Sequence, residues 1–188
     1  TVIGASTRSD QETAARALGR VLRAGHIVTV PPGIGESPDT LLTCEKKFRT
    51  PFIQNGDLLA LETFVRYLAR GEPVQVELQG PIADHYQRGK AIFETRFGQF
   101  NMSCAHCHQI YPGFRLRSQT LSQGHSNAFP AYRLTPGRVV GLHRKFVDCF
   151  ITLRAEPYPV GSPEFIDLEV YSTARGNGLP IETPGIRR

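Results

Sequence analysis

Five consecutive residues, Cys104-Ala105-His106-Cys107-His108, have the types and spacing to hold an iron porphyrin covalently. Two Cys three positions apart lie on one helical turn, so both sulfurs can reach the two vinyl groups along one haem edge. The next residue, His108, then directs an imidazole at the iron, which is the pattern of c-type attachment. Zinc is the competing chemistry, but it wants four ligands, commonly two such pairs, and Cys44 and Cys149 are single and distant. A redox-active Cys-x-x-Cys needs a βαβ setting, which the patterning lacks. The expectation is one covalently bound haem c on Cys104 and Cys107, with His108 as an axial ligand. His106 is read as a spacer at the haem edge.

The residues alone leave the sixth iron ligand open. The single Met, Met102, lies two residues before the first haem Cys, where the same turn cannot fold it over the far face. The candidates are His125, His143, Lys145 and Cys149. Either His would make an ordinary bis-His haem. Cys149 sits on the apolar face of an expected helix among Arg144, Lys145 and Arg154, whose charges favour the thiolate that ligates metals and reacts.

Helices must position these groups. Ser9-x-x-Glu12 is a capping box that opens a helix with Ala14, Leu18, Val21 and Leu22 on one face. Asp57 caps a second, with Leu58, Leu61, Val65 and Leu68 inward and Gly71 as its stop. A third spans 82–97 with Ile82, Tyr86, Phe93 and Phe97 at helical spacing. Its Gly89-x-x-x-Phe93 resembles the first helix of cytochromes c, where a Gly permits a close helix crossing. Val139, Leu142, Phe146, Cys149 and Leu153 share one face of a fourth. Ser162-Pro163 opens a fifth, which ends at Gly176. Alternating strand patterns are scarce, so the fold class is mainly α, with long Pro/Gly loops.

The two halves echo each other. An Arg follows Cys44 and Cys149 by five residues (Arg49, Arg154), then come Pro51-Phe52 and Pro157-Tyr158, then Ala-Arg-Gly at 69–71 and 174–176. Gly25-His26 with Pro31 mirrors Gly124-His125 with Pro130. The preserved order predicts an ancient duplication and two domains of similar fold, divided near 79–82.

Composition narrows the chemistry. The chain of 188 residues is 40% hydrophobic and 21% charged, an ordinary globular balance. No apolar run approaches the roughly 18 residues of a membrane span. The net charge of +5 comes from basic residues that are mostly Arg, which suits a small anionic substrate or an acidic partner. No basic run is interleaved with aromatics, so nucleic acid is not an expected partner. The start at Thr1 is read as that of a mature, exported chain.

The stretches LSQGHSNAFPAYRL (121–134), GLHRKFVDC (141–149), RAEPYPVGSPEF (154–165) and ARGNGLPIETPGIR (174–187) closely resemble the SoxA family. These are the catalytic cytochrome subunits of the SoxAX complex of sulfur-oxidising bacteria. The resemblance implies two cytochrome c-like domains, 1–80 degenerate and haem-less and 81–188 haem-binding and catalytic. It makes Cys149 the distal iron ligand and the active-site residue, often a persulfide in that family. Cys44 then matches the Cys that faced a lost haem and is left as an odd thiol. The family usually has Arg four residues before the active-site Cys, where this chain has Lys145.

The implied reaction is oxidative conjugation of thiosulfate to a Cys of the SoxYZ carrier, with electrons leaving through haem. Lys145 and Arg154, with Arg133 or Arg144, are the expected cations for the sulfonate. The implied partner is SoxX, a small monohaem cytochrome, and the implied compartment is the periplasm. Two rivals remain at this point: a plain electron-transfer cytochrome without sulfur chemistry, and a tetrathionate-forming thiosulfate dehydrogenase.

Overall fold

The computed structural model describes residues 56–116 and 118–187. The expected helix at Ser9–Glu12, Cys44, Arg49 and the other features before residue 56 lie outside the described residues. Among the described residues, four α-helices run in the order α1 (Gly56–Leu68), α2 (Pro81–Glu94), α3 (Leu142–Thr152) and α4 (Pro163–Ala174). Between α2 and α3 come a π-helical turn at His106–Ile110 and four short strands, and a fifth strand follows α4; together the strands form two small sheets. The first sheet is a hairpin of β1 (Arg115–Leu116) and β2 (Gln119–Thr120). The second has order β4-β3-β5, with β3 (Ala131–Arg133) antiparallel to β4 (Arg138–Val140) and parallel to β5 (Gly185–Arg187).

The helix α4 is the axis of the domain. It starts as expected: Ser162 accepts a hydrogen bond on Oγ from the Phe165 N–H at 3.3 Å, and Pro163 occupies the first turn. Nearly every side of it is covered, so its polar residues need partners. Asp167 receives Arg88 Nε at 2.7 Å and sits 2.5 Å from His85 Nδ1, both on α2. Thr173 Oγ1 meets Ser126 Oγ at 2.9 Å, and Ser172 Oγ donates to the Leu168 carbonyl.

Gly89 explains how α2 comes so close to α4. A Cβ at that position would collide with the Asp167 carbonyl and the Tyr171 Cβ, so only Gly allows the crossing. The core beside that crossing is aromatic: Phe93, Phe150, Phe165 and Tyr171, with Val147 and Leu168. Phe150 and Phe165 are edge to face at 5.8 Å, and Phe97 tilts onto Phe150 at 4.9 Å.

Three expectations change. Val139 belongs to β4 instead of the helix before Cys149, because Gly141 starts α3 one residue before Leu142. On α1, Leu68 is exposed, Arg66 is buried, and Val65 packs, with Ala69 just past the helix end, into a second small core. The sheets accompany the helices; strands of two or three residues are too short to show alternation in sequence.

The segment after α1 does not keep to its own side of the expected boundary at 79–82. Pro73 bridges Pro180, Val74 N–H donates to the Leu179 carbonyl, and Asn177 bonds both backbone groups of Val76 through its side chain. Ala69, Val74, Val76 and Ile181 close a second small core there. Below them, Arg66 lies buried 3.6 Å from Glu62 and 3.8 Å from Glu169, tying α1 to α4.

Candidate haem and cysteine site

Ser103, fully buried, precedes the motif and anchors it. Its N–H donates to His106 Nδ1 at 3.1 Å, and its hydroxyl lies 2.8 Å from the same nitrogen. His106 is thus held inside the turn, consistent with a spacer. Cys104 and Ala105 pack against the aromatic core. The widened π turn at 106–110 carries Cys107 and His108.

His108 donates from Nδ1 to the Ser122 carbonyl at 2.8 Å. That bond fixes the tautomer and leaves Nε2 as a bare acceptor, the state an axial ligand needs. Burial holds the imidazole below its ordinary pKa; the Ser122 carbonyl opposes this, while Lys145, Arg175 and His125 add to it. Gly124 lies flat against the ring. With φ at +76°, a Cβ there would stand 3.0 Å from His108 Cβ and 3.2 Å from both His108 Cγ and Phe93 Cζ.

The three described cysteines, Cys104, Cys107 and Cys149, are free of disulfides. Burial pushes the Cys104 thiol up to about 12, and the neighbouring Cys149 adds to the rise. Cys107 moves up for the same two reasons, burial first and Cys149 second. Cys149 is therefore electrostatically close to both motif cysteines, brought there by α3 from over forty residues away. A low-dielectric pocket holding two thiols, a bare imidazole nitrogen and a third sulfur fits a thioether-linked haem in its donor set.

Of the other candidate ligands, His143 is engaged elsewhere, while His125 has only its Nδ1 bonded, as His108 does. His143 is buried, accepts on Nδ1 from the Gly161 N–H at 3.1 Å, and faces Glu169 with Nε2. That 2.8 Å approach to Glu169 Oε2 lies off the hydrogen-bonding direction, so it is chiefly an electrostatic contact. His125 is held through Nδ1 by Asn127 Oδ1 at 2.6 Å, in the loop that carries Gly124 against His108. Lys145 and Cys149 lie one helical turn apart on α3, both half-buried.

The expected cations separate. Lys145 senses His108 across the pocket. Arg144 points outward, 3.8 Å from Asp148. Arg154, with a left-handed φ of +55°, stacks its guanidinium 5.0 Å over Phe100 and donates to Gln99 Oε1 at 3.2 Å. Arg133 is buried in β3, in register between Arg138 and Arg187. Only Lys145 of the four shows an interaction with the motif. Arg175, part of the repeated Ala-Arg-Gly and without a chemical signature in the sequence, lies against the motif instead.

No protein-family model matches the chain. It is 42% identical over 131 residues to the L-cysteine S-thiosulfotransferase subunit SoxA of Rhodovulum sulfidophilum, covering 70% of this chain and 46% of that protein. The subunit of the same name from Chlorobaculum tepidum is 35% identical over 138 residues, covering 72% of this chain and 48% of the relative. The crystal structure of SoxXA from P. pantotrophus matches with a TM-score of 0.78 at 31% identity, covering 95% of this chain and 70% of that one. The chain belongs to the SoxA family. It has a cytochrome c fold like that of the SoxXA structure. The chain spans about half the length of the curated SoxA relatives it matches. No helix among the described residues is long and apolar enough to cross a membrane.

Proposed function

We propose that this chain works as the SoxA-type part of an L-cysteine S-thiosulfotransferase in the periplasm. It conjugates thiosulfate to a cysteine of a SoxYZ-like carrier, in a heterodimer with a SoxX-like monohaem cytochrome c. The observation that carries this reading is that α3 brings Cys149 near enough to Cys104 and Cys107 to disfavour their thiolates, with Lys145 one turn away on the same helix.

One haem c per chain fits these residues. Cys104 and Cys107 would hold it by thioethers, and His108 Nε2 and Cys149 Sγ would be the residues that bind its iron. Bound there, it supplies one-electron redox chemistry. The chain's own residues do the rest. Cys149 carries the sulfane sulfur, as thiolate or persulfide. Lys145 holds the sulfonate oxygens and offsets their charge as the new bond forms. Joining thiosulfate to the Cys149 thiolate would make one S–S bond and release two electrons, one for each one-electron haem of the heterodimer. Exchange at the Cys149 sulfur then hands the group to the carrier. Arg144 and Arg154 are the weaker candidates for the anion, since each already has a neighbour on the surface.

The domain reading belongs to the same proposal: 1–80 a haem-less copy, 81–188 the haem-binding catalytic domain. It is supported by the single Cys-x-x-Cys-His and by the repeated Cys-x4-Arg and Ala-Arg-Gly motifs. The function is tested by incubating the chain and its Cys149→Ala variant with a monohaem partner, carrier and thiosulfate, then weighing the carrier. The wild type should give the thiosulfate adduct and the variant none. A variant that conjugates normally would favour a plain electron carrier.

A further inference from the structure

The guanidinium of Arg175 has no part in the sulfur chemistry above, yet it is hydrogen-bonded to the backbone at both His108 and Gln123. Its Nε and Nη2 both donate to the Gln123 carbonyl, at 2.9 and 2.5 Å. Nη2 also reaches the His108 carbonyl at 3.5 Å, and Nη1 the Tyr171 hydroxyl at 3.4 Å. The same group stacks 5.0 Å over the Phe93 ring, the ring that touches Gly124. Arg175 stands at the end of α4, so it joins the rigid axis of the domain to both ends of the loop 108–124.

We infer that Arg175 is a positioning residue for the axial imidazole, fixing the Ser122–Gln123 backbone that receives His108 Nδ1–H and keeping a positive charge beside the proximal side of the iron. The inference rests on the haem reading proposed above. Gln123 is the residue after Ser122, so a fork closed on its carbonyl restrains the peptide whose oxygen accepts from His108. An axial His is oriented and made more basic by that second bond. A fixed cation nearby acts in the other direction on the metal: the ferric state carries one more positive charge than the ferrous, so the charge of Arg175 favours reduction. Lys could supply the charge but not the two-pronged grip on one carbonyl.

The test is the midpoint potential of the haem-loaded protein, after covalent haem has been counted in each variant. Arg175→Gln should take up haem and shift the reduced-to-oxidised ratio at a fixed poise about tenfold toward oxidised, about 59 mV for one electron. Arg175→Lys should move it by less than half as much. Amide exchange at 122–124 should be faster than wild type in both, because neither retains the fork. A Gln variant with an unmoved potential, or a Lys variant with unaltered exchange, overturns the inference. The Lys variant carries the decision by itself should the Gln protein fail to mature. A wild-type chain without covalent haem would overturn the inference and the haem reading together; a loaded wild type with an unresponsive Gln variant overturns the inference alone.

Discussion

Gly124 lies close against His108: a Cβ on the glycine would stand 3.0 Å from His108 Cβ and 3.2 Å from His108 Cγ, so any side chain there would force one of the two to shift. The glycine's left-handed φ of +76° turns the loop so that the Ser122 carbonyl comes round to His108 Nδ1. A residue with no side chain and one with a reactive side chain are thus parts of one device, separated by sixteen positions in the chain.

Gly124→Ala should therefore damage haem attachment more than its size suggests. The added methyl stands 3.0 Å from His108 Cβ, and the backbone conformation is itself unfavourable to Ala. Overpacking of this kind costs about 1–3 kcal/mol. The expected outcome is a fall in covalent haem per chain by pyridine haemochrome assay, with the remaining holoprotein melting several degrees lower. Wild-type haem content and melting would show that the loop yields freely.

The buried charges between α1 and the rest of the domain predict a pH dependence. Burial raises Glu62 to about 7, Arg66 opposes that rise, and Glu169 adds to it. In the unfolded chain Glu62 ionises near 4.5, so between 4.5 and 7 the folded protein binds the extra proton. Stability from this group is therefore greatest below the unfolded value and declines as pH rises through about 7. Part of the Glu62 side chain reaches solvent, so the effect is modest. Glu62→Gln should flatten the fall in melting temperature between pH 5 and 8, and an unchanged slope would assign the dependence elsewhere.

How much of this was legible in sequence depends on the distance over which each feature is set. The haem motif, the Ser162 cap and the Gly89 crossing are local patterns of a few residues; the structure has the cap and the crossing as the sequence places them. Arg66 is different: a periodicity reading puts Leu68 inward, but α1 turns Arg66 toward Glu169, a partner over a hundred residues away. His143 similarly looked available for iron, until the loop at Gly161 and the helix at Glu169 claimed its nitrogens. Arg144, Lys145 and Arg154 form one basic cluster on paper, and helix geometry then sends them to three different surroundings. Arg175 had no local signature, because its role comes from a loop folded back over the end of α4.

Lys145 lies one helical turn before Cys149 on α3, half-buried like it. Losing one hydrogen bond to a charged group costs about 1.5–3 kcal/mol. Lys145→Ala should lower kcat/KM for thiosulfate about tenfold or more with an unaltered haem spectrum. Lys145→Arg should raise it, since a guanidinium offers the sulfonate two parallel donors. Equal kinetics for all three proteins would move the anion site away from α3.

The central claim is that Cys149 is both an iron ligand and the sulfur-bearing residue. It is tested most directly by the electron paramagnetic resonance spectrum of the oxidised protein, compared with that of Cys149→Ala. The account predicts a low-spin thiolate-type signal in the wild type that disappears in the variant while covalent haem stays at one per chain. A signal that is the same in both proteins would contradict it, and would leave Cys149 a neighbour of the haem cysteines with no bond to the iron.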